Sequence, residues 1–166
     1  MQDETRADSE HWDSAEEGAE RLAEGDIEGA RAELERLIAD EPDNPYAYFF
    51  LGGAHFEAGD FERAMKAYLL TLERAPRHAG ALSGLGHSLR LLGRYQEALK
   101  VGVQILARDK EDADGHYLMG LCHFARGEEA EATVHFERFL ETGPEVETAQ
   151  EVRGLLSILR GEVESA

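Results

Sequence analysis

The sequence predicts an all-α fold, with antiparallel helix pairs stacked in an array and closed by one further helix. Three observations carry that prediction. A skeleton of residues recurs every 34 positions: Gly52, Gly86 and Gly120; Gly59, Gly93 and Gly127; Ala64, Ala98 and Ala132. Gly18, Gly25 and Ala30 hold the same places one step earlier, and Gly154 holds the first of them one step later. Within each copy a large apolar residue (Leu51, Leu85, Met119) is followed by a small one, a turn glycine and an alanine. Helices approach closely only where one offers a small side chain opposite a large one, so Gly52 and Ala64 admit the backbones that Leu51, Tyr68 and Leu72 pack beside. Apolar residues on both sides of each turn glycine also repeat at helical spacing.

Each element has its own signals. Residues 1–10 are acidic and polar, with no apolar stripe, and are expected to form a mobile tail. Over 11–24, Trp12, Ala15, Ala19, Leu22 and Ala23 recur at helical spacing; Gly25 stops that helix and Asp26 caps the next. The helix over 27–40 carries Ala30, Leu34, Leu37 and Ile38 on one face, and Pro42 ends the first pair. Glu17 stands where later copies have Leu or Met, an erosion suited to the end of an array. Asn44 and Pro45 start the second pair, whose aromatic first helix runs over 46–58 and whose second runs over 61–75 to Pro76. The third pair starts near Ala79, with Gly80, Gly84 and Gly86 inside its first helix. The fourth spans 113–142 through the turn at Gly127, before Gly143 and Pro144. A last helix over about 145–161 sets Val152, Leu155, Leu156, Leu159 and Val163 along one stripe, as a capping helix requires.

A 34-residue period with this chemistry resembles the tetratricopeptide repeat, over roughly residues 11–144. The resemblance implies a right-handed α-solenoid in one domain over 11–166, with repeats at about 11–44, 45–78, 79–112 and 113–146. It also implies that the first helices of successive pairs line a concave groove in which peptides bind. The residues it turns inward are Trp12, Ala15 and Ala19; Tyr46, Phe49, Gly53 and Phe56; Ser83, His87 and Arg90; and Asp114, Tyr117, Leu121 and Phe124. Helical arithmetic agrees, since Phe49, Gly53 and Phe56 share a face, as do Tyr117, Leu121 and Phe124. Two uses of these aromatics stay open: a binding trough, or packing between neighbouring pairs. The trough requires Phe49, Phe56 and Phe124 to be at least partly exposed. Gly80, Ser83 and Gly84 are small either to let a ligand backbone approach or to pack helices closely.

The best-known peptide-binding members of that family grip a C-terminal carboxylate with Lys, Asn and Arg. Here the matching places hold Phe49, Gly53, Gly84, Asp114 and Leu118, which cannot do that work. An apolar or aromatic peptide, or an amphipathic helix, is the expected ligand of such an adaptor, scaffold or chaperone. A second reading is a structural scaffold that forms homo-oligomers through Val152, Leu155, Leu156 and Leu159. The size, acidity and extra terminal helices are also similar to bacterial type III secretion chaperones.

Composition narrows the partners. The 166 residues carry a net charge of −18, with 42% apolar and 31% charged residues. Such a field repels nucleic acid and anionic membranes and speeds encounter with basic partners, so a basic protein or peptide with apolar anchors is expected. The opening MQDE is unlike a secretory leader, and no run approaches the ~18 apolar residues of a membrane span. Cys122 is the only cysteine, which suits a cytoplasmic location.

No enzyme chemistry is expected, and no cofactor or metal. The segment GLGHSLRLLG over 84–93 lacks phosphate-loop spacing and lies inside a helix. His116 and His123 are seven apart rather than four, with Cys122 facing elsewhere. His55 and His123 share one place in the repeat and read as packing residues. Cys122 reads as a small core residue, with no basic neighbour to activate it.

Overall fold

The computed structural model describes residues 2–162, with side chains over 6–162. Among the described residues all regular structure is helical: α1 (Gln2–Ala23), α2 (Ile27–Asp40), α3 (Pro45–Glu57), α4 (Phe61–Arg74), α5 (Ala79–Leu91), α6 (Tyr95–Arg108), α7 (Ala113–Ala125), α8 (Glu129–Glu141) and α9 (Val146–Leu159). The starts of α3, α5 and α7 are 34 residues apart, and so are those of α2, α4, α6 and α8. The expected period is therefore present in the helices themselves. Gly25, Gly59, Gly93 and Gly127 close the four sharp turns with φ of 82°, 76°, 74° and 73°, a left-handed conformation that a Cβ disfavours.

The chain forms two compact units, Met1–Leu92 and Gly93–Ala166, and the boundary falls between α5 and α6. In the first unit α1 packs on α2 and α3, α2 on α3, α3 on α4 and α5, and α4 on α5. Asp26 caps α2 through Gly29 N (3.0 Å). Asn44, fully buried, caps α3 by accepting from Tyr46 N (3.0 Å) and donates Nδ2 to His11 O (2.9 Å), tying α1 to α3. Close approach follows the small-against-large rule. A Cβ on Gly18 would collide with Leu34, and one on Gly52 would stand 2.8 Å from the Tyr68 ring.

The acidic start, expected as a tail over 1–10, is instead helical from Gln2. Its side chains explain the difference. Arg6 pairs with Glu10 one turn on (2.8 Å), and Asp8 accepts from the Tyr46 hydroxyl (2.8 Å), a tertiary tie that a polar sequence does not announce.

In the second unit α7 packs on α6 and α8, and α9 on α8. Phe136 fills the space over Gly120 as Tyr68 does over Gly52. Gly102 holds the place of Tyr68 in its copy, and Met119 fills the gap. Cys122 is buried in this core. The capping stripe is largely internal: Val152 and Leu156 are 0% and 2% exposed and pack with Phe136 and Phe139, while Leu155 and Leu159 lie half-buried at the margin. Of the four residues expected to form an oligomer contact, Val152 and Leu156 are thus covered by α8, and Leu155 and Leu159 keep part of their surface open. Val163 lies outside the described residues.

Candidate functional site

Trp12 of α1 is 45% exposed and meets Tyr46 edge-on at 5.2 Å and Phe50 at 5.6 Å. Tyr46 is half-buried; burial and then the Asp8 carboxylate push its pKa up to about 12, so it stays a neutral donor. Phe49 packs on Phe50 (5.1 Å) and on His78 (4.5 Å). His78 caps α5 by accepting from Ala81 N at 3.1 Å, and its burial lowers its pKa. Trp12, Tyr46 and Phe49 thus lie in one cluster of rings with Phe50 and His78. The sequence signal for His78 was its place before α5, where a capping side chain is needed.

Next to this array, the C-terminal halves of α1 and α3 enclose a recess of about 510 Å³. Leu22, Ile27 and Phe56 wall it, Gly53 opens it, Glu57 stands on its edge and Tyr68 of α4 reaches it from beneath. A Cβ on Gly53 would meet only Leu22, at 3.0 Å. The Tyr68 ring is clamped between α3 and α5, since a Cβ on Gly84 would lie 2.6 Å from its Cε2. Close packing also accounts for Gly80, whose Cβ would stand 2.9 Å from Phe49 Cζ. Burial, and then Glu57, push the Tyr68 pKa up to about 12. Glu57 was legible at one helical turn from Gly53; Tyr68 was read only as a packing residue.

Ser83, His87 and Arg90 lie half-buried along α5, at helical spacing. Arg90 Nε is buried without a hydrogen-bond partner among the described residues. Ala15, expected to face inward, is fully buried in the first unit's core, whereas Ala19 is half-buried. In the second unit Tyr117, Leu121 and Phe124 are half-buried beside the Phe136–Val152–Leu156 core. Tyr117 lies 5.1 Å from Phe139 and donates to Glu151 at 3.3 Å.

The histidines are placed by polar contacts more than the repeat implied. His116 Nε2 lies 2.9 Å from Lys110 O, an acceptor, so Nε2 carries the proton. Its Nδ1 lies 3.0 Å from His135 Nδ1, one ring donating and the other accepting. His123 stacks on His135 (5.6 Å, 6°) and bonds Glu128 at 2.6 Å, beside Arg126. Burial, then His116 and His123, lower the His135 pKa to about 4. Arg126, then His123, lower that of Glu128 to about 2. His55, at the place shared with His123, is buried, and burial lowers its pKa. Among the described residues no three His, Cys, Asp or Glu are grouped to hold a metal ion, and no helix is long and apolar enough to cross a membrane.

Comparison with known proteins adds the following. Two tetratricopeptide repeat models match residues 21–86 and 84–145. DnaJ homolog subfamily C member 7 of Mus musculus is 31% identical over 121 residues, which cover 72% of this chain and 24% of that protein. The chain spans about a quarter of the length of that protein and of its Homo sapiens counterpart. Among solved structures, MamA aligns with a TM-score of 0.76 at 19% identity, covering 87% of this chain and 83% of that one. A chain of the APC/C hetero-tetramer Cut9-Hcn1 aligns at 0.79 with 22% identity, covering 90% and 30%. At these identities the likeness concerns the fold.

Proposed function

Because the chain belongs to the tetratricopeptide repeat family, whose members are protein-interaction scaffolds rather than enzymes in general, we propose that it binds a peptide or helix with apolar anchors on the inner faces of its first helices. The observation that carries this reading is the partial exposure of the groove residues named from the sequence, from Trp12 through Phe56 to Phe124, with Ala15 the exception. Side chains needed only for packing in these helices, such as Ala47, Ala54, Ala81 and Leu118, are sealed. An array of half-buried rings with an open recess beside it is the kind of surface that anchors a partner. The fit is to an adaptor, scaffold or chaperone. Self-association through α9 is disfavoured, since Val152 and Leu156 are enclosed.

Phage display of random 12-residue peptides on the immobilised protein tests the reading. Enrichment of sequences with aromatic or large aliphatic positions is expected. Binding of the enriched peptides should fall at least ten-fold in Trp12→Ala and Phe56→Ala, with melting temperatures still cooperative, and stay unchanged in Val103→Ala on α6. Retention by both inner-face variants contradicts the assignment.

A further inference from the structure

We infer that the recess between α1 and α3 receives a lysine or arginine side chain of the bound peptide, clothing its stem with Leu22 and Phe56 and meeting its charged head with Glu57 and the Tyr68 hydroxyl. The inference rests on the inner-face reading above and names the chemistry of the ligand at one of its subsites.

The first support is the Tyr68 hydroxyl. Tyr68 is only 6% exposed and lines the recess, and among the described residues its hydroxyl has no hydrogen-bond partner. Its oxygen is not sealed in the core but opens on the recess, where a donor from a ligand can reach it. Gly52 and Gly84 hold the ring where it is, so the hydroxyl cannot turn elsewhere for a partner. As an acceptor it suits an ammonium or guanidinium, whose groups are donors only.

Charge gives the second support. Glu57 is exposed at the edge of the recess and has no ion-pair partner among the described residues. The cation nearest in sequence to the α1 wall, Arg21, is already held by Glu17 (2.9 Å) and Asp26 (3.2 Å). Residues 1–92 contain 20 acidic and 9 basic side chains, so the surroundings reinforce the sign. An anionic ligand head is disfavoured on both counts.

The third is shape. A long side chain with an apolar stem and a charged tip matches walls of Leu22, Ile27 and Phe56 with polar side chains at Glu57 and Tyr68. The Phe56 ring can add cation–π attraction to the head.

The test uses fluorescein-labelled 12-residue peptides of alternating leucine with arginine, glutamine or glutamate, read by fluorescence anisotropy in about 0.15 M salt. The leucine–arginine peptide is expected to bind at least ten-fold more tightly than the leucine–glutamine one. Glu57→Gln and Tyr68→Phe should each weaken it five-fold or more, as should Gly53→Met, which fills the recess. Glu62→Gln, an equal charge change on α4, should shift it less than two-fold. An equal effect of Glu62→Gln shows attraction to net charge alone and overturns the subsite. Equal binding of the leucine–glutamine peptide, lost in Phe56→Ala, also overturns the subsite but leaves the inner-face reading standing. Binding of none of the three peptides overturns both.

Discussion

Ala98 and Glu97 are neighbours on α6 with opposite environments. Ala98 is 0% exposed, whereas Glu97 lies in water, paired with Arg94 at 2.7 Å. Ala98→Arg buries a charge and overpacks a closed site, so a loss of roughly 3 kcal/mol or more is expected. Glu97→Arg removes one solvent-screened surface pair and should leave the stability nearly unchanged. Urea titrations of the two variants should differ accordingly, and equal stabilities would show the faces of α6 to be misassigned. His135 makes a pH-dependent prediction. Its folded-state pKa is lowered to about 4 from an ordinary 6.5, so the unfolded chain takes up this proton first as pH falls. The contribution to stability is complete above about pH 6.5 and is lost progressively toward pH 4. Between about pH 7.5 and pH 5, wild type should lose about 1 kcal/mol more than His135→Gln, allowing for partial exposure. A loss that is the same in the two proteins contradicts the lowered pKa of His135.

At the scale of the helix, the packed and unpacked glycines should respond in opposite directions. Gly154 lies mid-way along α9 with nothing near its missing Cβ. Gly154→Ala should therefore stabilise by about 0.5–1 kcal/mol, the gain in helix propensity alone. Gly84→Ala gains the same propensity but drives a methyl into the clamped Tyr68 ring, and is expected to destabilise. Thermal melts of the two variants should move apart, upward for Gly154→Ala and downward for Gly84→Ala. These elements also show what a sequence reveals. The caps Asp26 and Asn44 were legible, because their short polar side chains precede an apolar run and bond the first free N–H groups. The early start of α1 was not, because it depends on Asp8 meeting Tyr46, 38 residues away. The His116–His135 contact was missed for a related reason: His135 has no histidine at its place in the other copies, so the repeat offered no cue.

For the molecule as a whole, the period of 34 made the fold readable, since one spacing recurs in turn glycines, buried alanines and helix starts alike. The inner-face residues were readable through that same register, by family resemblance. The recess was not, because it needs Tyr68 from α4 to pass between two glycines of other helices. The net charge of −18 predicts that association with a basic peptide slows steeply as salt rises, whereas the apolar contacts persist. The most direct test of the inner-face assignment is a titration of ¹⁵N-labelled protein with the leucine–arginine peptide, followed by amide chemical shifts. Perturbations centred on Leu22, Gly53, Phe56 and Glu57 are expected. Perturbations centred instead on Ile38, Leu51, His55 and Leu70, which line a separate recess of about 310 Å³, would contradict the account.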